Sequence, residues 1–281
     1  MNDAMEGKFL PLFSFTSGMV HEILTDLYCY TNQIVNLCCV RNLENTEEWV
    51  LVDTGMPESA NRIVEVVEKL FGENTKPKAI ILTHGHFDHV GAVVDLVEKW
   101  RVKVYAHEAE LPFLTGEKSY PEPDGSVEGG LVAKMSPIFP NEPVDLGNNV
   151  EALPSDGSVP HMPGWRWVFT PGHAPGHISL FRDKDRVLIA GDAFVTVKQE
   201  SLYKVITQDK EINGPPRYLT TDWDAARESV EKLEALKPTI AITGHGRPMS
   251  GKELVDGLAR LVKDFDQIAI PDYGRFVNRK H

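Results

Sequence analysis

The sequence is poor in cysteine and contains no long hydrophobic run. Cys29, Cys38 and Cys39 are its three cysteines, and no CxxC pair occurs. Neighbouring strand residues point to opposite faces, so the sequence predicts buried free thiols in a reducing compartment rather than disulfides. No stretch approaches the roughly 18 apolar residues of a membrane span, and residues 9–15 lack the basic leader of a signal peptide. We therefore expect a cytoplasmic protein with no membrane partner.

Basic residues are outnumbered by acidic ones. The chain carries 29 lysines and arginines against 41 aspartates and glutamates, which gives a formal net charge of −12. Because a nucleic acid partner calls for a basic surface, this balance argues against DNA or RNA binding. Three catalytic signatures are also missing: the GxSxG nucleophile elbow, the GxxxxGK[ST] phosphate loop and the GxGxxG dinucleotide fingerprint. The chemistry has to come from another set of residues.

The apolar residues that are present alternate between two periodicities. Short runs typical of buried strands occur at 49–52, 79–82, 102–105, 165–169, 187–190 and 239–242. Helical spacing of apolar residues occurs at 63–70, 90–97, 226–233 and 254–265, and a capping box at Ser250 and Glu253 is predicted to open the last helix. Strands that alternate with helices indicate a layered α/β fold.

Two stretches interrupt this alternation, at 111–164 and 195–221. The first holds nine of the nineteen prolines and the second ends in NGPPRYLTT, yet both contain scattered aromatic and aliphatic residues, so they do not resemble flexible linkers. Long loops in compact domains are commonly functional. We expect a single domain over residues 1–281, with these stretches as ordered excursions over the active site.

The densest group of metal-binding side chains is THGHFDHVGA at 83–92, directly after a predicted strand. It places His84, His86, Asp88 and His89 within six positions. His84 and His86 lie two apart in an extended segment and project to the same side, so they can bind one metal ion. Asp88 and His89 open the next helix and can bind a second. Imidazole and carboxylate ligands without thiolate suit zinc, iron or manganese.

Three later residues follow strands in the same way. His173 comes after WRWVF, Asp192 after VLIA and His245 after TIAI. In an open α/β sheet, ligands bind at the carboxyl ends of strands. Together with the first group, these residues provide seven nitrogen and oxygen ligands.

This pattern resembles the metallo-β-lactamase-fold hydrolases. That superfamily carries HxHxDH, then a histidine in a Pro-Gly-rich turn, then an aspartate and a final histidine, and the VDTG at 52–55 matches its early DTG turn. The resemblance covers residues 30 to 265. It implies a four-layer αβ/βα sandwich with the site at one edge between two sheets.

The resemblance also implies a role for each ligand. His84, His86 and His173 would bind the first of two divalent metal ions, expected to be Zn²⁺, with Fe or Mn as alternatives. Asp88, His89 and His245 would bind the second ion, and Asp192 would bridge both. Asp53 would orient the HxHxDH loop, although an aspartate before Gly55 can also serve only to form the turn.

Two such ions about 3.5 Å apart lower the pKa of water towards about 7 and can hold a hydroxide between them as the nucleophile. Asp88 could also act as the catalytic proton acceptor. With an aspartate at 192, where β-lactamases carry Cys or Ser, the pattern looks like the thioester and lactone hydrolases of the superfamily. We therefore expect a small-molecule ester-like substrate. Lactonases place a tyrosine where this chain has Val195, although Tyr203 or Tyr218 could replace it.

Two alternatives use the same ligands. Persulfide dioxygenases of the superfamily keep most of the motif but use a single iron, and sequence spacing does not separate them from a dizinc hydrolase. A non-catalytic scaffold, in which the metals only support the fold, predicts gaps in the ligand set, and there are none. No residue is assigned to substrate binding or to an oligomer interface. Aromatic residues and methionines of the excursions and their flanks either line a pocket or pack internally: Phe113, Tyr120, Met135, Phe139, Met162, Trp165, Phe194, Tyr203 and Trp223.

The segment TPGHAPGHI at 170–178 contains two histidines four apart, His173 and His177. Two prolines and two glycines within and beside this pair will not hold a helix, so the spacing does not place both rings on one helical face. His173 is predicted to be the ligand. His177, which opens the next apolar run, is expected to support the site or to pack beside it.

Overall fold

A computed structural model describes residues 14, 16–128, 131–197 and 210–277. The amino-terminal half of this part forms a seven-stranded sheet whose strands lie side by side in chain order. The first four strands pair antiparallel, and the fourth to seventh pair parallel. The strands are β1 Val20–Leu24, β2 Leu27–Asn32, β3 Val35–Arg41, β4 Trp49–Val52, β5 Ala79–Ile81, β6 Lys103–Ala106 and β7 Val150–Ala152.

The carboxyl-terminal half forms a five-stranded sheet in the order β12-β11-β10-β9-β8. Its strands are β8 Trp165–Phe169, β9 Ile178–Arg182, β10 Val187–Gly191, β11 Ile240–Thr243 and β12 Met249–Ser250. Strands β10 and β11 run parallel, so their carboxyl ends lie at the same edge. The other neighbouring strands pair antiparallel.

Helices cover the outer face of each sheet. The helices of the described residues are α1 Ala60–Phe71, α2 Phe87–Val90, α3 Val93–Trp100, α4 Leu111–Leu114, α5 Leu131–Met135, α6 Trp223–Ala235, α7 Gly251–Lys263 and α8 Phe265–Ile268. Helices α1 and α3 bury Ile63 and Leu96 against the first sheet, and α6 and α7 bury Val230 and Leu258 against the second. Short 3-10 turns, one of them at Glu108–Glu110, lie between these elements.

Alternation along each strand divides the apolar residues between the layers. Leu51 packs beneath α1 and α3, whereas Val50 and Val52 point into the core between the sheets. In the second sheet Leu188 packs beneath α6 and α7, and Ile189 points into the same central core. The architecture is therefore the predicted αβ/βα sandwich, with four layers and three apolar cores.

The structure confirms some of the predicted secondary-structure elements and corrects others. Each predicted strand is present within a residue or so of its predicted bounds, but β1 to β3, β9 and β12 were not predicted as strands, and β7 lies inside the first proposed excursion. The helix predicted from Val90 is broken at Gly91 into α2 and α3. The capping box is wrong, because Ser250 makes no side-chain cap and instead pairs with Ile240 at the end of β12.

The cysteines behave as expected, since all three are buried and free. Cys39 faces the core under α1 and α3, whereas Cys29 and Cys38 face the core between the sheets. Within the described residues, no helix combines the length and apolar character needed to cross a bilayer.

Candidate metal centre

The HxHxDH segment crosses the edge of the first sheet. Strand β5 ends at Ile81, a bend follows at Thr83, His86 has extended dihedral angles, and α2 begins at Phe87. This change from extended chain to helix lets His84 and His86 face one side while Asp88 and His89 project from the first helical turn. His84 and His89 are fully buried, and the other two are nearly so.

The second sheet contributes the other three donors at the facing edge. His173 lies in the turn after β8, Asp192 directly follows β10, and His245 follows β11. All three are buried. The structure thus brings together all seven side chains that the sequence singled out as ligands.

Three overlapping groups of these side chains have donor atoms within 4.8 Å of one another, a spacing that could hold a metal ion. The groups are His84, His86 and His173; Asp88, His89 and His245; and His84, His89 and Asp192. The first is called the three-His group below, and the second the Asp88 group.

Asp192 stands between these two groups. Its Oδ2 atom lies 3.4 Å from His173 Nε2, in the three-His group. The same oxygen lies 3.3 Å from His245 Nε2 and 3.6 Å from His89 Nε2, in the Asp88 group. One carboxylate oxygen is therefore within reach of both groups, as a bridging ligand requires.

Several donor atoms fit a cation because they have no other partner. His84 Nε2, His89 Nε2, Asp88 Oδ1 and Asp192 Oδ1 are buried and make no hydrogen bond within the described part of the chain. A buried polar atom without a partner costs about 1–3 kcal/mol, so four of them in one cluster fit the binding of a cation. Nitrogen and carboxylate donors suit a borderline divalent metal ion.

The electrostatics of the cluster point the same way. Burial lowers the pKa of the His84 and His173 rings well below their usual value, so both stay neutral and able to coordinate. Burial also opposes the charged form of His89 and His245, but the neighbouring carboxylates together outweigh it, Asp192 most strongly, with Asp88 and, for His89, Asp53. The pKa of His89 is raised well above its usual value and that of His245 to about 10. A cluster that draws protons onto two buried rings suits divalent cations, which displace such protons on binding.

Neighbouring groups fix the orientation of the ligand rings. Asp53, at the end of β4, accepts hydrogen bonds from the Thr83 backbone N–H and hydroxyl, both at 2.8 Å, and its Oδ2 lies 2.8 Å from His89 Nδ1. His245 Nδ1 lies 3.0 Å from the Ile34 carbonyl oxygen. These contacts hold Nδ1 of each ring and leave Nε2 turned towards the carboxylates.

His177 has a different role from His173. Its Nε2 accepts a hydrogen bond of 2.9 Å from the Asp192 backbone N–H, and its Nδ1 lies 3.0 Å from the Thr170 carbonyl oxygen. Both ring nitrogens are thereby engaged with the chain. His177 holds the backbone of Asp192 in place and has no lone pair left for a metal.

Comparison with known proteins places this centre in a family. The family model of the metallo-beta-lactamase superfamily matches residues 40–245. The chain belongs to the metallo-beta-lactamase superfamily. It is 46% identical over 264 residues to the probable metallo-hydrolase YflN of Bacillus subtilis (strain 168), a match that covers 94% of this chain and 100% of that relative.

Solved structures of the superfamily share the sandwich. BJP-1, a subclass B3 metallo-beta-lactamase of Bradyrhizobium japonicum, superposes with a TM-score of 0.61 at 21% identity, covering 92% of this chain and 96% of that one. TTHA1623, solved in a di-iron-bound form, superposes with a TM-score of 0.52 at 26% identity, covering 77% of this chain and 89% of that one. The chain shares its family and its fold with metallo-hydrolases, and it contains buried groups of metal-binding side chains. Together these findings imply that it binds divalent metal ions.

The aromatic residues named from the sequence divide between the centre and the cores. Tyr120 lies over His86 with ring centroids 4.5 Å apart, and Phe113 stacks on Tyr120 at 4.1 Å. Phe139 packs at 5.4 Å on Phe87 of the superfamily motif and at 5.8 Å on Tyr218. The remaining buried residues pack inside the sandwich: Met162, Trp165, Phe194 and Trp223. Tyr203 lies outside the described residues.

Two residues beside the centre, Glu110 and Thr220, carried no signal in the sequence, and Tyr120 was named there only as one of several aromatic residues. Thr220 Oγ1 lies 3.1 Å from His173 Nδ1 and donates to the Pro216 carbonyl oxygen, so its lone pair faces the histidine ring. Glu110 and Tyr120 hydrogen-bond to each other and to the backbone between the first two superfamily histidines. They reach the centre from distant parts of the chain. Each is identified by its contact with a particular loop of the centre, and that contact is visible only in the folded structure.

Proposed function

We propose that this protein is a dinuclear metal-dependent hydrolase that cleaves an ester-like bond of a small molecule. In this proposal the three-His group holds one ion, the Asp88 group holds the other, and Asp192 binds both. Zn²⁺ is the proposed metal. The substrate classes considered are thioesters, lactones and related acyl esters.

One observation carries the proposal, namely the position of Asp192 Oδ2 within 3.6 Å of histidine nitrogens from both groups. In a protein that held one ion, the buried donor atoms of the other group would have no cation to bind. Here the Asp88 group, like the three-His group, is buried and has its donor atoms within 4.8 Å of one another. This favours two ions over the single iron of a persulfide dioxygenase.

When bound, two divalent ions lower the pKa of water towards about 7 and polarise a substrate carbonyl or phosphoryl oxygen. The chain supplies the remaining parts. Asp88 Oδ2 faces His245 Nε2 at 3.2 Å, whereas Asp88 Oδ1 has no hydrogen-bond partner within the described residues. The Asp88 carboxylate has a second oxygen besides the one that would hold the ion, and it is the proposed acceptor for the proton that the attacking water loses. His177 and Asp53 keep the ligands in place through this transfer.

The residues around the centre favour a substrate with an organic acyl group over a nucleic acid substrate. Phe87, Phe139 and Tyr218 form an apolar cluster beside α2, together with Val127 and Leu219. The net charge of −12 disfavours a phosphate polymer. The proposed partner is thus a small molecule with an apolar part, acted on by a protein that binds neither nucleic acid nor membrane.

The proposal is tested by counting metals and screening substrates on the same preparation. We expect two ions per chain and hydrolysis within a panel of thioesters, lactones, aryl esters and phosphoesters. Asp192→Ala should lose bound metal and most of this hydrolysis. Two retained ions with full activity in that variant would contradict the bridging role.

Metal identity has its own test, because TTHA1623 carries two irons on the same fold. The protein is purified from media supplemented with zinc or with iron, and each form is assayed for hydrolysis and for oxygen consumption on glutathione persulfide. We expect hydrolysis that follows the zinc content. One iron per chain with oxygen uptake would instead identify a dioxygenase.

A further inference from the structure

Glu110 joins the two loops that carry the three-His group. It ends the 3-10 turn after β6 and is fully buried. Its Oε2 accepts a hydrogen bond of 2.8 Å from the Gly85 backbone N–H, and its Oε1 accepts one of 2.7 Å from the Gly176 backbone N–H. Gly85 lies between His84 and His86, and Gly176 lies three residues after His173. One carboxylate therefore connects a loop of the first sheet to a loop of the second.

Tyr120 completes this connection. Its hydroxyl donates to Glu110 Oε2, and the Gly85 N–H also points at the tyrosine oxygen at 3.1 Å. The Tyr120 ring contacts the His86 ring, with centroids 4.5 Å apart and planes tilted by 58°, and the Phe113 ring stacks on Tyr120. The carboxylate is thus held by three donors, and the tyrosine that it anchors packs against the His86 ring.

The two glycines show how closely the carboxylate approaches the loops. A Cβ atom at Gly176 would lie 2.7 Å from Glu110 Cγ and 2.9 Å from its Oε1. A Cβ atom at Gly85 would lie 2.8 Å from the Tyr120 hydroxyl oxygen. Real Cβ atoms do not come this near. The glycine of each histidine loop therefore makes room for the Glu110–Tyr120 pair.

The geometry points to Glu110 as a positioning residue that sets the spacing of His84, His86 and His173 and thereby the affinity of the ion they bind. Glu110 touches no reacting atom in this role. It acts through two backbone N–H groups that only an acceptor with two oxygens can satisfy together. This inference rests on the proposed function, because it takes the three-His group as a metal site.

Glu110→Gln is the variant that isolates this role. Glutamine has the same length, but one of its two terminal atoms is a donor, so either Gly85 or Gly176 faces an N–H group instead of an oxygen. Loss of a group that orients metal ligands weakens metal affinity by about 10- to 100-fold. Glu108→Gln, at an exposed position two residues away, is the matched control.

The measurement is a competition titration of the full-length apoprotein with Zn²⁺ against a chromophoric chelator. Cadmium NMR separates the two sites, and His86→Ala and His245→Ala assign the resonances. We expect Glu110→Gln to bind the three-His ion about 10- to 100-fold more weakly and the Asp88 ion as tightly as wild type. A purely structural role would instead lower the melting temperature of the apoprotein without separating the two affinities.

Two unchanged affinities in Glu110→Gln, or equal weakening of both, would overturn the inference. If this variant does not fold, Tyr120→Phe provides the same test, with a weaker three-His ion expected and unchanged affinities contradicting it. Failure of the proposed function looks different, because the wild-type protein would then bind fewer than two ions in the same titration.

Discussion

Asp53 Oδ2 lies 2.8 Å from His89 Nδ1, with both side chains buried, and so joins the end of β4 to the first turn of α2. The same carboxylate accepts two hydrogen bonds from Thr83, which precedes His84. One aspartate thereby holds both ends of the HxHxDH segment. Its backbone has a φ of 59°, a conformation that aspartate tolerates better than most residues.

Asp53→Asn is expected to weaken metal binding while leaving the fold intact. The amide keeps one acceptor oxygen but turns an N–H group towards either Thr83 or His89. The His89 ring then loses its orienting partner, and a loss of this kind costs about 10- to 100-fold in metal affinity. The chelator titration should show the larger loss at the ion of the Asp88 group. Equal affinity for both ions in wild type and variant would contradict this.

Thr220→Val tests the orientation of His173. Valine has nearly the same shape but no oxygen to accept the His173 Nδ1 proton, so the ring loses the contact that directs Nε2 at Asp192. We expect the ion of the three-His group to bind about 10-fold more weakly. Thr221→Val is the matched control, since the Thr221 side chain is only partly buried. A control that lost as much affinity as Thr220→Val would rule out the specific role.

The seven proposed ligands were accessible to sequence reasoning because four lie in one short motif after β5 and the other three follow β8, β10 and β11 within four residues. A strand and the residue after it are close in the chain, so the local pattern carries the information. Glu110 was not accessible, since it meets Gly85 and Gly176 across 25 and 66 residues. An isolated glutamate in a proline-containing stretch gives no sign of such a partner.

The missed strands have a related cause. Strand β3 contains the buried polar residue Asn36, whose amide donates to the Thr243 and Gly246 carbonyl oxygens beside His245. Strand β2 contains the buried residue Thr31, which donates to Asn36. Buried polar residues that support the other sheet interrupt the apolar pattern on which strand prediction depends. Their value for the fold is visible only after the two sheets meet.

A buried ion pair joins the sheets at the end away from the metal centre. Arg182 of β9 pairs with Asp26 of the β1–β2 turn, with side chains 3% and 5% exposed. Among the described residues, Asp26→Asn leaves Asp185 as the one charged partner of the buried Arg182 guanidinium, and breaking a buried pair costs about 3–5 kcal/mol. We expect a loss of about 3 kcal/mol in the free energy of unfolding, measured with urea.

The exposed pair between Arg166 and Asp183 is the control for that measurement. Its N–O distance is 2.8 Å, but the side chains are 38% and 66% exposed. Solvent screens such a pair, so Asp183→Asn should change the free energy of unfolding by less than about 1 kcal/mol. Similar losses in the two variants would show that burial does not set the strength of the Arg182–Asp26 pair.

Gly91 allows α2 to pack against the turn that follows β4. Its φ of −56° is ordinary for any residue, so only space restricts the position. A Cβ atom there would overlap Pro57 N and Met56 C, which are backbone atoms that cannot rotate away. Gly91→Ala should therefore displace α2, with Asp88 and His89, and destabilise the protein by about 1–3 kcal/mol.

Gly257→Ala is the control for this variant. Its added atom meets mainly the flexible end of Ile212, and helix propensity favours alanine by up to about 1 kcal/mol. Metal affinity and the free energy of unfolding in urea should both be lower than wild type in Gly91→Ala and near wild type in Gly257→Ala. The reverse order would refute the backbone clash.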